Sequence, residues 1–283
     1  MKFVEIDGLQ FEVMPVAQRV IKTVVDPLRN RLLPASMLKR MANRSQSPLI
    51  QESLIRPGGW RSMNIVYENR RPVDWMDRMA VRYNPISMAS RNRRKLVTAK
   101  LTELLKALQN APKLQLLGIG AGPGLHLQDS VVRAGLPSEK VRISLIDLDS
   151  DAFEFGRQCA KERGLQDSVE FVQGDAREIR RVLPDVSPHV VKIVGLLEYL
   201  TDEQALQLLS AMRDVIQPEG RLLTHGLVDR YNAGPFLART FGLKHFHRTE
   251  HDVQSLLNSA GFATVSVHHT PMQIYPVLIA RPA

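Results

Sequence analysis

From Leu114 onward, short β-branched or leucine-rich runs alternate with longer segments of helical period. LQLLGI, RISLID, VEFV, HVVKIV, RLLTHG, ATVSVHH and IYPVLIA read as strands. LHLQDSVVRAG, SDAFEFGRQCAKERG, AREIRRVL and DEQALQLLSAMRDVI read as helices between them. Strands separated by helices of that length predict βαβ units, hence an α/β, doubly wound, mainly parallel seven-stranded sheet. The last two runs leave no room for a crossover helix, so they predict an antiparallel strand at one edge.

The earlier part of the chain has a different pattern. FVEIDGLQFEV alternates apolar and polar residues on both sides of Asp7-Gly8, which predicts a two-residue hairpin. Apolar positions from Val16 to Leu32 fall at helical spacing, with Pro27 expected to kink or break that helix. Residues 45–75, rich in Ser, Pro, Gly and Arg, read as loops and short pieces. A second amphipathic helix is expected from about Arg91 to Leu108. The predicted organisation is therefore a mostly helical N-terminal cap over residues 1–90 and a Rossmann-like domain over 91–283.

Charge separates the same two regions. Residues 1–110 hold 20 Lys and Arg against 9 acids, and residues 111–283 hold 18 against 20, so the net +9 lies in the N-terminal part. Such an excess suits a nucleic acid, an anionic surface, an acidic substrate or merely a solvated face. A hydrophobic fraction of 44% supports a sizeable core and excludes a disordered chain. No run is long enough to span a bilayer, the opening MKFVEIDGLQ lacks a signal-peptide pattern, and the only cysteine is Cys159. A cytoplasmic protein is expected.

The candidate chemistry starts where the first strand of the sheet ends, at Gly118-Ile-Gly120-Ala-Gly122-Pro-Gly124. Glycines there permit a sharp turn and let a ligand lie against bare backbone. The spacing is neither the GxGxxG dinucleotide fingerprint nor a P-loop. The second strand ends at Asp147, whose carboxylate can accept both hydroxyls of a ribose. Asp175, after the third strand, can accept from an adenine amino group. Glu198 and Tyr199 follow the fourth strand and His225 ends the fifth, where an imidazole could act as a general base. His245-Phe-His247 lacks an acidic partner motif, and no metal is expected.

LLGIGAGPG, SLIDLDSDAFEFGRQ, VEFVQGDARE, VVKIVGLLEYLTDEQ, VIQPEGRLL and LLNSAGF, in this order, resemble a class I S-adenosylmethionine-dependent methyltransferase over about residues 111–283. The resemblance implies S-adenosylmethionine as cofactor. Gly118, Gly120, Gly122, Gly124 and Gly195 would then lie around its methionine part, Asp147 with Leu148 at the ribose, and Asp175 with Ala176 at the adenine. Tyr83 would close over the sulfonium. Glu198, Tyr199 and His225 are the expected catalytic residues, and Met88, Arg91 and Tyr231 the expected acceptor contacts, with Arg91 or Arg94 gripping a carboxylate.

One position departs from the family. Gly118 stands where the family usually carries an acid that holds the cofactor's α-ammonium. Without that acid the amine is easier to deprotonate. Two enzyme readings follow: methyl transfer to a small, partly lipophilic or carboxylate-bearing molecule, or aminocarboxypropyl chemistry releasing methylthioadenosine. A third reading, RNA binding or RNA methylation, uses the basic N-terminal part, including Arg91-Asn-Arg-Arg-Lys95. It is disfavoured because no aromatics interleave that cluster. Cys159 reads as a buried structural thiol. Oligomeric state is left open by the sequence.

Overall fold

A computed structural model describes residues 2–231 and 233–283. The chain forms two compact units. One contains the residues up to Lys95 with the later segments Leu227–His247 and His269–Tyr275; the other contains Leu96–Gly226, Arg248–His268 and Pro276–Ala283. No described helix is long and apolar enough to cross a membrane.

The first unit opens with the hairpin of β1 (Lys2–Ile6) and β2 (Leu9–Val13). Asp7 and Gly8 both take positive φ, 51° and 74°, as the two-residue turn requires. Val16–Leu32 is one helical run in which Pro27 neither breaks nor ends the helix. A π-turn over Ile21–Val25 precedes it, closed by the Asp26 N–H donating to the Ile21 carbonyl. Residues 45–75, expected as loops, fold largely into short helices at Pro48–Ile55, Trp60–Glu68 and Trp75–Asp77. Ser47 caps the first of them by accepting from the Ile50 N–H, with Pro48 pre-set for the first helical position. The helix expected from Arg91 starts earlier, at Pro85, and runs to Ala107. Met14, Met88, Ala89, Leu227, Met272, Ile274 and Tyr275 form this unit's core.

In the second unit the strands are β3 (Leu114–Ile119), β4 (Val141–Asp147), β5 (Val169–Gln173), β6 (Val190–Ile193), β7 (Arg221–His225), β8 (Phe262–His268) and β9 (Val277–Pro282). Their order is β5-β4-β3-β6-β7-β9-β8. The first five pair in parallel, while β9 runs antiparallel to both β7 and β8. β9 inserts between its two neighbours, so the reversed strand lies one place in from the edge. Helices on the sheet bury Leu208, Leu209 and Met212 of Asp202–Arg213 and Val253 and Leu257 of Glu250–Ser259 with Leu117, Val191 and Leu222. Each fully buried Leu in this layer contributes roughly 1.5–3 kcal/mol to the unit's stability. Thr201 with Gln204, and Thr249 with Asp252, form capping boxes that fix where the two helices start.

At the amino ends of the strands, His189 Nδ1 accepts from the Gln115 N–H at 3.1 Å. Burial lowers the His189 pKa below its ordinary value of about 6.5. The unfolded chain therefore takes up a proton near that pH while the folded chain resists. Stability is fully present above about 6.5 and falls as the pH drops through the folded value. Thermal midpoints measured between neutral pH and pH ~5 should fall less in His189→Asn, whose amide oxygen accepts without titrating. A parallel decline in both proteins would sink this account.

Candidate active site in the second unit

The loops after β3, β4, β5, β6 and β7 share one rim because these five strands are parallel neighbours. The chain reverses direction across the sheet between β3 and β6, and doubly wound folds bind ligands at that switch point. The loops on either side approach closely there. A Cβ added to Gly120 would lie 3.2 Å from Leu196, which follows β6.

The glycine loop is held in shape by named bonds. Gly120, Gly122 and Gly124 have φ of 55°, 52° and 72°, a region that L side chains rarely adopt. At Gly124 an added Cβ would collide with the Leu145 side chain, so packing and backbone both demand glycine. The Gly122 N–H donates to Asp147 Oδ2 at 2.8 Å, and the Asp149 N–H donates to Asp147 Oδ1 at 3.0 Å. A carboxylate has about four acceptor positions, so two are left over for donors such as ribose hydroxyls. The cradle, the carboxylate and the neighbouring exposed Leu148 together fit a nucleoside with a flexible polar arm.

Asp175 caps the turn after β5, accepting from the Arg177 N–H at 2.9 Å and from the Arg177 guanidinium. The guanidinium, then the backbone bond, hold its carboxyl below the usual range despite partial burial. Asp175 is thus an ionised acceptor, shared with Arg177, beside the buried Ala176.

His225 is assigned a different task from the expected base. The Gly195 N–H donates to its Nε2 at 2.9 Å, so that nitrogen accepts and the proton resides on Nδ1. Nδ1 in turn donates to the Gly226 carbonyl at 2.7 Å. The ring is buried and both nitrogens hold backbone, which fixes the turn at Gly195 (φ 82°). Taking a proton from an acceptor at Nε2 would break the bond to Gly195. Glu198 is buried with Oε2 3.7 Å from that Nε2, and Tyr199 is exposed on the turn Leu197–Tyr199.

The remaining expected site residues, Tyr83, Met88, Arg91 and Tyr231, belong to the other unit. Tyr83 accepts from Arg78 Nη2 at its hydroxyl, 3.2 Å away, and lies under the same guanidinium. Tyr231 packs on the first unit's core at a positive φ of 61°. Met88 is fully buried within that core and offers no surface to an acceptor. Arg91 is corrected outright. Its guanidinium is buried, pairs with both Glu12 oxygens at 2.6 Å and donates to the Val81 carbonyl at 2.7 Å. Freeing it for a substrate carboxylate would leave Glu12 as a buried unpaired charge.

The basic cluster beside it is likewise used within its own unit. Arg93 stacks on Tyr275 at 4.3 Å and Arg94 on Tyr67 at 4.9 Å, while Lys95 Nζ donates to the Gln10 carbonyl at 2.7 Å. The cluster's side chains are therefore engaged inside their own unit.

Three supports of the rim carry no sequence signal. Gln128, fully buried, donates from Nε2 to the Pro123 carbonyl at 2.9 Å and pins the glycine loop. Gly156 admits Phe171 and the Pro123 carbonyl, both inside 3.0 Å of where a Cβ would sit. Arg248 is buried and donates to the Leu197 and Leu200 carbonyls and to Asp202, clamping the turn that bears Glu198 and Tyr199. Their partners lie up to 51 residues away, so only folding reveals them.

Residues 116–220 match a family described as "Methyltransferase domain". A curated relative, the ubiquinone/menaquinone biosynthesis C-methyltransferase UbiE of Shewanella sp. (strain ANA-3), is 30% identical over 112 residues, 37% of this chain and 43% of the relative. The chain thus spans less than half the length of the curated relatives it matches. Among solved structures, one from Bordetella parapertussis, called a possible exported protein, superposes with a TM-score of 0.68 at 18% identity, covering 94% of this chain and 96% of that one. The magnesium protoporphyrin IX methyltransferase of Synechocystis PCC 6803, solved with S-adenosylhomocysteine, gives 0.57 at 16% identity, over 79% and 94%. At these identities the structural likeness establishes the fold. With the glycine loop beside Asp147, the family match marks residues 116–220 as a methyltransferase domain, similar to the class I enzymes that use S-adenosylmethionine.

Proposed function

We propose that the protein transfers the methyl group of S-adenosylmethionine to a small, partly lipophilic organic acceptor. The observation that carries the reading is the glycine cradle closed by the Gly122–Asp147 bond at the switch point of the sheet. In this reading Gly120, Gly122 and Gly195 lie along the amino-acid arm, Asp147 and Leu148 meet the ribose, and Asp175 and Ala176 meet the adenine. The sulfonium supplies a methyl group already activated for transfer. The chain's own part is alignment and exclusion of water, with Glu198 and Tyr199 on the turn nearest the switch point. His225 acts by holding Gly195 rather than by taking a proton. UbiE's name refers to quinones, which supports a lipophilic acceptor over a carboxylate-bearing one now that Arg91 is committed to Glu12. The reading includes a cytoplasmic setting, which a lone, buried cysteine, Cys159, fits.

Gly118 does not favour the aminocarboxypropyl alternative. A Cβ there would meet Leu145 at 2.8 Å, Leu127 at 3.2 Å and Ala121 at 3.3 Å. The missing acid is replaced by apolar packing, not by an opened space beside the amine. Purified protein incubated with S-adenosylmethionine and fractionated cell extract should yield S-adenosylhomocysteine and a product heavier by one methylene, read by mass spectrometry. Methylthioadenosine above the enzyme-free control, or no S-adenosylhomocysteine with any fraction, would overturn the proposal.

A further inference from the structure

The helical run Val16–Leu32 is inside out. Val16, Val20, Val24, Leu28 and Leu32 recur every four residues with Ile21 and Val25 beside them, and all seven are exposed, from 48% at Ile21 to 80% at Leu32. The inward positions are polar. Gln18 Nε2 donates to the Tyr83 carbonyl at 2.9 Å, and Lys22 Nζ pairs at 2.8 Å with Asp26, which is 6% exposed. A helix serving its own unit's core shows the opposite arrangement. On an α-helix a four-residue row drifts by about 40° per step. The π-turn at Ile21–Val25 spends an extra residue on one turn and counters that drift. The apolar row is roughly 25 Å long at the α-helical rise.

Charge says what such a face meets. The next helix, Ala35–Asn43, exposes Met37 and Met41 together with Lys39 and Arg40, followed by exposed Arg44. Between Val13 and Gln51 the sequence holds seven Lys and Arg and a single acid, Asp26. That acid is buried against Lys22, so the outward surface of these helices is apolar and basic with no exposed acid. Apolar residues on one face with basic residues around them are the chemistry that binds a helix in the plane of an anionic bilayer surface. A second copy would present the same cations and no acid to pair with them. A nucleic acid would use the cations and leave seven aliphatic side chains in water.

We propose that residues 16–44 are a docking surface for an anionic lipid bilayer, on which the helices lie flat. The proposal stands independently of the methyl-transfer reading, because none of these residues belongs to the candidate active site.

The test is flotation of the full chain with vesicles of phosphatidylcholine alone or mixed with phosphatidylglycerol. Binding to the mixed vesicles should be at least about tenfold stronger and should weaken with salt, since each basic residue near the surface is worth roughly fivefold. Val24→Asp/Leu28→Asp should lose about tenfold or more. Arg31→Glu/Lys39→Glu/Arg40→Glu should lose about a hundredfold by the same per-residue factor. All five side chains are exposed, so thermal midpoint and S-adenosylhomocysteine affinity should stay at the wild-type values, which separates lost docking from misfolding. No binding to anionic vesicles, or equal binding to neutral ones, would overturn the proposal. So would a dimer in sedimentation that Val24→Asp/Leu28→Asp dissociates in the absence of vesicle binding. RNA binding indifferent to that pair, again without vesicle binding, would do the same.

Discussion

Asp147→Ala weakens binding of S-adenosylhomocysteine by about 100-fold or more in titration calorimetry. The proposed carboxylate accepts two ribose hydroxyls, and a hydrogen bond to a charged group contributes roughly 1.5–3 kcal/mol. Two of them amount to roughly 3–6 kcal/mol, or a factor of about 10² to 10⁴ in affinity. The same substitution releases the Gly122 and Asp149 N–H groups, so the glycine loop loses an anchor as well. Asp147→Asn separates the two contributions. Its amide oxygen can still anchor one loop N–H, so it should fall between wild type and the alanine variant. Wild-type affinity in Asp147→Ala would end the assignment of this rim as the cofactor site.

Gly118→Asp lowers the thermal midpoint by about 4–24 °C. Restoring the family's usual acid places a Cβ against Leu145, which is fully buried, and puts a carboxyl among Leu127 and Ala121. Overpacking of this kind costs about 1–3 kcal/mol, and an unsatisfied buried polar group costs a similar amount again. For a unit of this size each kcal/mol moves the midpoint by about 2–4 °C. Gly118→Ala should lose less, because it adds volume without a polar group. A Gly118→Asp protein with an unchanged midpoint and tighter S-adenosylhomocysteine binding would show that the position faces ligand space. The apolar-packing account would then be wrong.

The second unit was legible because its signals are local. A strand such as LQLLGI, buried on both faces over most of its length, has to be largely apolar, and the glycines after it are required by the positive φ at Gly120, Gly122 and Gly124. The first unit was misread where local composition and tertiary outcome diverge. Residues 45–75 look loop-like because Ser, Pro and Gly are helix-start residues as well as turn residues. Pro27 was read as a breaker, and the π-turn that precedes it has no sequence signature. His225 and Arg91 were expected to do chemistry, since an exposed reactive side chain and a buried structural one have the same letter.

What the sequence determined by itself was periodicity, the alternation of strands and helices into βαβ units, and the glycines and acids that belong at strand ends. Those follow from steric rules acting within a few residues. Tertiary structure alone decided which polar groups are already committed. Glu12 reaches Arg91 across 79 residues, Gly195 reaches His225 across 30, and Leu197 reaches Arg248 across 51. It also decided that the valines of Val16–Leu32 face outward, because the choice of inner face rests on what Gln18 and Asp26 meet when the chain folds. A buried donor or charge must find its partner wherever the fold brings one, and that requirement is written in no stretch of sequence short enough to read.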